Sequence, residues 1–323
     1  MVMHTEAIKR AQCMILIGFL ALLALLKPTT AWACACGCGV FEVGTGSMMP
    51  TQEGGLAYIE YDMMDQNRNW SGSSSAPAAN NSDKEISTNF YTAGLEYLFS
   101  REWGIHVQIP YWERTFKTTD DSGNALSANF SGLGDVRIDA IYTGFSPDLS
   151  SGLTIGLKLP TGSYKDHPDI VDRDTQIGSG STDLLLGGYH VGAFSVSSNW
   201  NWFAQAKLDN PLTGQDGYFP GSEVDLATGA YYDLGSVSLI SKLAPVLTLK
   251  ASNRMPDSGP QAAVDENINP QSGYTRVLVA PGVEADFGSV RIFADVEMPV
   301  YQYVNGNQLV ADTLYKLVVG YLF

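Results

Sequence analysis

The chain has 323 residues, a formal net charge of −15 at pH 7, 33 glycines and 11% aromatic residues. This acidic balance argues against nucleic acid as a partner, because neutralising phosphates requires clustered lysine and arginine. A composition rich in glycine and aromatic residues, with few helical patterns, indicates β structure.

The first 33 residues have the layout of a secretory signal peptide. A positive start at Lys9 and Arg10 precedes an apolar run over 14–26, and Ala-Trp-Ala at 31–33 supplies the small residues of a cleavage site. The alternative is a membrane anchor, but the apolar run is shorter than the roughly 20 residues that a spanning helix needs. We therefore expect an exported protein whose mature part begins at Cys34.

Residues 34–53 are expected to form a separate periplasmic segment or plug that contains Cys34, Cys36 and Cys38. Two of these thiols could pair in the oxidising periplasm or act as redox-active groups, which is the favoured interpretation. The three thiolates could instead hold a soft metal such as Cu(I) or Zn(II), the one cofactor that the sequence suggests. Lipidation of Cys34 ranks last, because the preceding residues lack the leucine of a lipobox.

From residue 54 onward, segments of about ten residues with alternating polarity are separated by turns, as in outer-membrane barrels. In the segment 132–142, Asp135, Arg137 and Asp139 share one face, and the opposite face is apolar. Successive side chains of a strand point to opposite faces. The sequence predicts an all-β fold, a transmembrane antiparallel β-barrel of about 12 strands over 54–323, with periplasmic N- and C-termini.

The predicted strands alternate between long and short connections, which is the arrangement of an outer-membrane barrel. The long polar connections, at 65–85, 117–131, 161–179, 209–221 and 251–272, are expected to be mobile surface loops, because their composition cannot bury a core. A tight hairpin at 305–307 is the exception on that side. The predicted strands cover 54–64, 86–99, 103–116, 132–145, 152–160, 180–192, 195–208, 222–234, 236–250, 273–287, 289–303 and 309–323.

The last strand carries a second indication of location. Alternate residues from Tyr315 to Phe323 are apolar or aromatic, whereas Asp312 and Lys316 fall on the opposite, inward face. An amphipathic final strand that ends in Tyr321 and Phe323 resembles the signal that the outer-membrane insertion machinery reads. We therefore expect the outer membrane of a Gram-negative bacterium as the location. The expected partners are outer-membrane lipid, lipopolysaccharide and the barrel-assembly machinery.

The polar face of each strand is expected to line the barrel interior, because Arg or Lys on the lipid face near the midplane costs about 2–4 kcal/mol. Such residues could select ions or solutes, or they could pair with one another and fill the barrel. Both interpretations stay open. The candidate lumen-lining residues are Glu60, Asp62, Glu96, Arg114, Asp135, Arg137, Asp139, Lys158, Asp183, Arg276, Arg291, Asp295, Glu297 and Lys316.

Three segments resemble the outer-membrane barrel family named for the meta-pathway of phenol degradation. They are GLGDVRIDAIYTGF from Gly132, LTIGLKLPTG from Leu153 and DRDTQIGSGSTDLLLGGYH from Asp172. That family is related in outline to the long-chain fatty-acid outer-membrane transporters. The resemblance implies a porin-like barrel or transporter for small solutes, with aromatic or other hydrophobic compounds as the substrate class. It assigns no binding residue, and the cysteine-rich segment departs from the family.

The sequence offers no recognisable catalytic arrangement, and an enzyme is not expected. His106, His167 and His190 are scattered without metal-ligand spacing, and no Ser–His–Asp set, P-loop or dinucleotide fingerprint is evident. Two functions therefore compete, with an outer-membrane hydrolase as a third and less favoured alternative. The first is an outer-membrane channel or transporter for small solutes. The second is a plugged structural or partner-binding barrel with a metal- or redox-active cysteine cluster.

Overall fold

The computed structural model of the chain describes residues 49, 54–120, 122–195, 199–260 and 271–323. The predicted signal peptide and the cysteine cluster lie outside these residues. No helix in the described ranges is long and apolar enough to cross a bilayer. The described ranges contain two short 3₁₀ turns, Ala78–Asn80 and Arg173–Thr175, among their helical residues.

Antiparallel strands form nearly all of the regular structure, because alternating polarity over short runs suits a pleated sheet with two different faces. The strands are β1 Gly54–Gly72, β2 Ser74–Ser75, β3 Glu85–Leu98, β4 Trp103–Thr119, β5 Ala125–Leu133, β6 Val136–Tyr142, β7 Ser151–Leu159, β8 Ser181–Ala193, β9 Trp200–Gly214, β10 Glu223–Tyr232, β11 Lys242–Arg254, β12 Tyr274–Phe287 and β13 Val290–Leu322.

The sheet closes into a barrel, so that each backbone group in its wall can find a partner on a neighbouring strand. Eleven strands form the ring, in which β13 pairs with β1, while β2 and β5 lie outside it. The 33 residues of β13 supply two neighbouring places in the wall. Residues 290–304 pair with β12, and residues 304–322 pair with β1. The predicted all-β antiparallel barrel is therefore confirmed, and the predicted hairpin at 305–307 lies within β13.

The first and last residues of the barrel meet at one end, here called the terminus end. The backbone N–H of Gly55 donates to the carbonyl oxygen of Phe323 at 2.8 Å, and the N–H of Phe323 donates back to Gly55 at 3.0 Å. The connections at 99–102 and 288–289 turn tightly at this end. The opposite end, called the loop end, carries the longer segments at 160–180 and 215–222 together with residues 255–260 and 271–273.

The outer face of the barrel is apolar, which fits contact with lipid. Aromatic side chains gather near the terminus end: the rings of Trp103 and Tyr142 lie 4.8 Å apart, and those of Trp200 and Tyr232 lie 5.1 Å apart. Tyr321 and Phe323 are exposed on the same face, and their role as an insertion signal stays a prediction. Large aliphatic residues exposed on this face include Ile59, Leu95, Ile109, Leu153, Ile155, Leu226, Leu247 and Leu249.

Several strand boundaries at the loop end differ from the prediction. β1 reaches Gly72, and β4 pairs with β5 from Tyr111 to Thr119, so parts of the predicted loops 65–85 and 117–131 are strand. Polar residues can form strands where a neighbour supplies hydrogen bonds, because strand preference depends strongly on context. The predicted strand 132–145 is interrupted at Gly134 and Asp135, between β5 and β6.

Candidate functional site

The fourteen candidate lumen residues all point into the barrel. Twelve are buried: Glu60, Asp62, Arg114, Asp135, Asp139, Lys158, Asp183, Arg276, Arg291, Asp295, Glu297 and Lys316. The other two, Glu96 and Arg137, are partly exposed and line an internal cavity. Their part in solute passage stays a prediction. Their position follows from the strand register, which alternates burial and exposure along most of each strand.

Asp312 is an exception to this alternation. Its side chain is 57% exposed and forms an ion pair on the outer face with Arg68. The register between β1 and β13 shifts just beyond the pair formed by Met64 and Leu314, where β13 contains an extra residue. A bulge of this kind reverses the direction of the side chains that follow. The prediction that Asp312 points inward is therefore wrong.

One side of the lumen contains a compact group of charged side chains, here called the lumenal charge cluster. It comprises Glu60, Asp62, Lys250, Asp295, Glu297 and Lys316. The ammonium nitrogen of Lys316 lies 2.9 Å from Oε1 of Glu60 and 3.0 Å from Oδ1 of Asp62. All of these residues are buried, so their charges depend on one another for compensation.

Lys250 is the member that the sequence prediction missed. Its side chain has 0% exposure, and its Nζ lies 2.6 Å from Glu297 Oε1 and 3.2 Å from Asp295 Oδ2. The predicted strand 236–250 ends at this residue, and Lys250 is not among the candidate lumen-lining residues. Lys250 lies eight residues after Lys242 on β11, and residues separated by an even number point to the same face of a strand. This spacing is the sequence feature that places Lys250 on the inward face.

The other side of the lumen contains a cavity of about 260 Å³. Its wall carries polar and apolar groups, including Trp112, Thr154, Gln205 and Tyr189. Eight carboxylates and six basic side chains also line it. The carboxylates are Glu60, Glu96, Asp135, Asp139, Asp174, Asp209, Glu223 and Asp225, and the basic residues are Arg137, Lys158, Arg173, Lys207, Arg254 and Lys316.

Met49 and a group of apolar side chains lie beside the cavity, towards the terminus end. The buried members of this group are Met49, Leu56, Tyr58, Phe203, Val246, Phe293 and Val318. Met49 also contributes to the cavity wall. The ring of Tyr58 covers Gly94, where a β-carbon would lie 1.9 Å from the ring. Glycine at this position therefore allows the aromatic ring to lie flat against the wall.

The segment 160–180, here called the inner loop, folds into the loop end of the barrel. Its residues Thr175, Gln176 and Ile177 are buried. The guanidinium of Arg114, an inward residue of β4, donates hydrogen bonds to the carbonyl oxygens of Thr175 and Gln176. This segment was predicted to be a mobile surface loop. That prediction is wrong, because inward polar side chains of the barrel satisfy the backbone of the loop.

Asp135 joins the two ends of the inner loop. Its Oδ1 accepts a hydrogen bond from the N–H of Gly162 at 2.9 Å, and its Oδ2 accepts one from the N–H of Ser179 at 2.7 Å and one from the Ser179 hydroxyl at 2.5 Å. Gly178 and Gly162 approach so closely that a β-carbon on Gly178 would lie 2.2 Å from the Gly162 oxygen. The break between β5 and β6 thus places a carboxylate where it can close the loop.

Arg173 connects the inner loop to the neighbouring loop-end segment. Its guanidinium lies 4.5 Å from the ring of Tyr164 and 4.3 Å from the ring of Tyr218. Tyr218 donates a hydrogen bond to Asp257 at 2.7 Å. The stacking of Arg173 on Tyr218 joins the inner loop to the segment 215–222. The hydrogen bond of Tyr218 joins that segment to Asp257. These contacts hold Tyr164, Arg173, Tyr218 and Asp257 together at the loop end.

A buried carboxyl group outside the strands lies within electrostatic range of the inner loop. Asp83 precedes β3 and is 2% exposed, and Asp174 of the inner loop is buried as well. Burial raises the pKa of Asp83 to about 7; the negative charge of Asp174 adds to this rise, while Thr118 and Lys84 oppose it. The neutral form of Asp83 is therefore the form that the folded loop end favours.

We expect the packing of the inner loop to weaken between about pH 5 and about pH 8. The pKa of Asp83 in the folded protein lies above its unfolded value. The neutral carboxyl group therefore stabilises the folded loop end fully below the unfolded pKa, and this stabilisation is lost as the pH rises through about 7. Hydrogen exchange of residues 160–180, corrected for intrinsic rates, should be faster at the higher pH. Asp83→Asn should remove the difference; equal protection of the unmutated protein at both pH values would contradict the expectation.

The described residues contain no group of three or more His, Cys, Asp or Glu side chains arranged to hold a metal ion. Of the histidines considered above, His106 lines the cavity, whereas His190 lies on the outer face and is hydrogen-bonded to Ser151. The cysteine cluster lies outside the described ranges, so disulfide and soft-metal binding at Cys34, Cys36 and Cys38 stay predictions.

Comparison with known proteins identifies a fold. No protein-family model matches the chain, and no curated protein matches it. The structure is similar to an outer membrane channel from Pseudomonas putida F1, with a TM-score of 0.62 and 12% identity over 87% of this chain and 100% of that chain. A Pseudomonas aeruginosa FadL homologue gives a TM-score of 0.45 at 10% identity, over 90% of this chain and 98% of that chain. The chain thus has the fold of an outer-membrane barrel, and the resemblance to the phenol meta-pathway family stays a prediction.

Proposed function

We propose that the protein is an outer-membrane channel for small solutes, with the terminus end in the periplasm. The observation that carries this proposal is the internal cavity of about 260 Å³ inside a closed barrel whose outer face is apolar. A cavity of this kind gives a solute a place to bind between the two ends of the barrel. The P. putida channel, which has the same fold, supports the proposal.

The size of the cavity favours small solutes. A cavity of roughly 150 Å³ accommodates benzene, so the cavity in this barrel is large enough for a single aromatic ring with a polar substituent. Trp112, Ile177 and Tyr189 provide apolar surface, and charged side chains surround them. This mixture supports aromatic compounds with a polar or charged group better than purely apolar compounds.

Planar-bilayer recording and liposome swelling with the purified protein test the proposal. We expect a measurable conductance and faster uptake of single-ring solutes than of disaccharides, because the cavity is small. Heat-modifiable electrophoretic mobility provides the control that the inserted protein is folded. A folded protein with neither conductance nor solute uptake would exclude the channel.

A plugged barrel is the second candidate, and specific observations favour it. The lumenal charge cluster fills one side of the lumen, and Met49 packs among buried apolar residues inside the barrel. If residues 34–53 close the barrel, deleting them should produce conductance that the full chain lacks. Met49→Ala is the matched smaller change. Equal conductance before and after the deletion would remove this candidate.

A further inference from the structure

One carboxylate in the cavity wall has no partner among the described residues. Glu96 lies on β3 and lines the cavity, yet it makes no hydrogen bond or ion pair with any residue that the structure describes. Protein surrounds its side chain, and the exposure that remains is to the cavity. A carboxylate in such a place is unfavourable unless a proton or a cation compensates its charge.

The neighbouring polar groups are already engaged. Glu96 lies opposite His106 on β4, but Nε2 of His106 is 2.8 Å from the Tyr58 hydroxyl, and Nδ1 is 3.7 Å from Oδ2 of Asp139. The side-chain amide of Gln108 donates to the same Tyr58 hydroxyl at 3.2 Å. These groups therefore hold one another in place and leave the Glu96 oxygens directed at the cavity.

Aromatic surface lies within electrostatic range of this carboxylate. Glu96 and Tyr189 belong to the same cavity wall, and the hydroxyl groups of Tyr58 and Tyr189 lie within interaction distance of Glu96. Tyr189 lines the cavity, and its hydroxyl donates to the carbonyl oxygen of Leu149 at 3.2 Å. The ring of Tyr189 covers Gly152 and packs against the apolar group around Met49, and the part of the ring that lines the cavity can contact a ligand. The face of an aromatic ring attracts cations.

The charge balance of the cavity points in the same direction. Eight carboxylates and six basic side chains line it. Lys158 pairs with Asp183 and Asp209, Lys316 pairs with Glu60 and Asp62, and Arg254 pairs with Asp257. Arg137 and Lys207 also have interactions within the protein. The wall is thus better prepared to receive a positive group than a negative one.

We propose that Glu96 and Tyr189 form a subsite that binds the ammonium group of a small organic cation. The carboxylate would accept the N–H hydrogen bonds of the ammonium, and the ring of Tyr189 would contact the positive charge. The apolar part of the cation would occupy the remaining cavity beside Trp112. This inference deepens the proposed function, since it rests on the cavity being the place where a solute binds.

Equilibrium binding to the purified full-length protein in detergent micelles tests the subsite without requiring conduction. The probes are benzylammonium, benzyl alcohol and benzoate, which have the same ring and differ in charge. At neutral pH, benzylammonium should bind at least about tenfold more tightly than benzyl alcohol, because a charge-assisted hydrogen bond is added, and benzoate should bind most weakly. Equal affinities for benzylammonium and benzyl alcohol would overturn the proposal. That result would indicate that a proton, and not a bound cation, compensates the charge of Glu96.

Two variants test whether Glu96 is responsible for the higher affinity for benzylammonium. Glu96→Gln should reduce benzylammonium affinity about tenfold and leave benzyl alcohol binding unchanged. Glu284→Gln is the matched control, because Glu284 lies on β12, already pairs with Lys242 at 2.8 Å, and is outside the cavity wall. Unaltered benzylammonium affinity in folded Glu96→Gln would refute the subsite. If the protein bound benzylammonium selectively but showed no conductance, the channel proposal would be refuted and the subsite proposal would stand.

Discussion

Replacing Lys250 with methionine is expected to lower the free energy of unfolding by about 3–5 kcal/mol, the usual cost of breaking a buried ion pair from one side. Methionine keeps most of the volume of the side chain, so the loss reports the charge and not a cavity. Without the ammonium group, Asp295 and Glu297 would lose the cation with which both form an ion pair. Urea unfolding of the refolded protein in detergent micelles, followed by tryptophan fluorescence, measures this change.

Lys242→Met is the matched control. Lys242 lies on the same strand and the same face, but its side chain is 28% exposed, and its partner Glu284 also lies 3.9 Å from the guanidinium of Arg291. Loss of the Lys242 ammonium group should therefore lower the free energy of unfolding by about 1 kcal/mol or less. Adding Glu297→Gln to Lys250→Met should restore part of the stability. Similar losses for the two lysine variants would contradict the special role of the lumenal charge cluster.

Replacing Asp135 with alanine is expected to open the loop end of the barrel and raise its conductance. Asp135 accepts three hydrogen bonds from the two ends of the inner loop. Loss of even one hydrogen bond to a charged acceptor costs about 1.5–3 kcal/mol. At about 1.4 kcal/mol per factor of ten, the population of open loop should rise by roughly 10- to 100-fold. Single-channel recording should show longer or more frequent open events.

Asp120→Ala provides a control with the same chemistry at an external turn. Asp120 also accepts three side-chain hydrogen bonds, from the N–H of Ser122 and from the N–H and amide of Asn124. Because this turn lies outside the lumen, loss of the Asp120 carboxylate should leave the conductance of the barrel unchanged. Increased conductance in both variants would point to general destabilisation of the loop end, and unchanged conductance in both would exclude the inner loop as a constriction.

Strand alternation assigns each side chain to one face of the sheet once the strand is placed. By this rule Asp62, Asp139 and Glu297 fall on the polar face, and the structure buries them; their part in solute passage stays a prediction. Asp312 shows the limit of this reasoning. A single extra residue in β13 reverses the alternation, and no feature of the local sequence indicates where the partner strand shifts register.

The inner loop could not be predicted for a different reason. Its sequence is polar and resembles that of the external loops, so composition indicates a mobile segment. Its conformation depends on Arg114 and Asp135, which are distant in sequence and supply hydrogen bonds to its backbone. Likewise, the free carboxylate of Glu96 could be recognised only after its neighbours His106 and Gln108 were found to bind Tyr58.

The pairing of β1 with β13 sets the order in which the chain can assemble. Leu56 lies opposite Leu322 in this pairing, so the contact joins the two extremes of the barrel sequence. Such distant contacts form slowly, because the intervening chain must first be ordered. Until the last strand arrives, β1 and the first half of β13 present unpaired backbone edges, which invite association with other chains. These two edges are therefore the surfaces at which premature association between incompletely folded chains would begin.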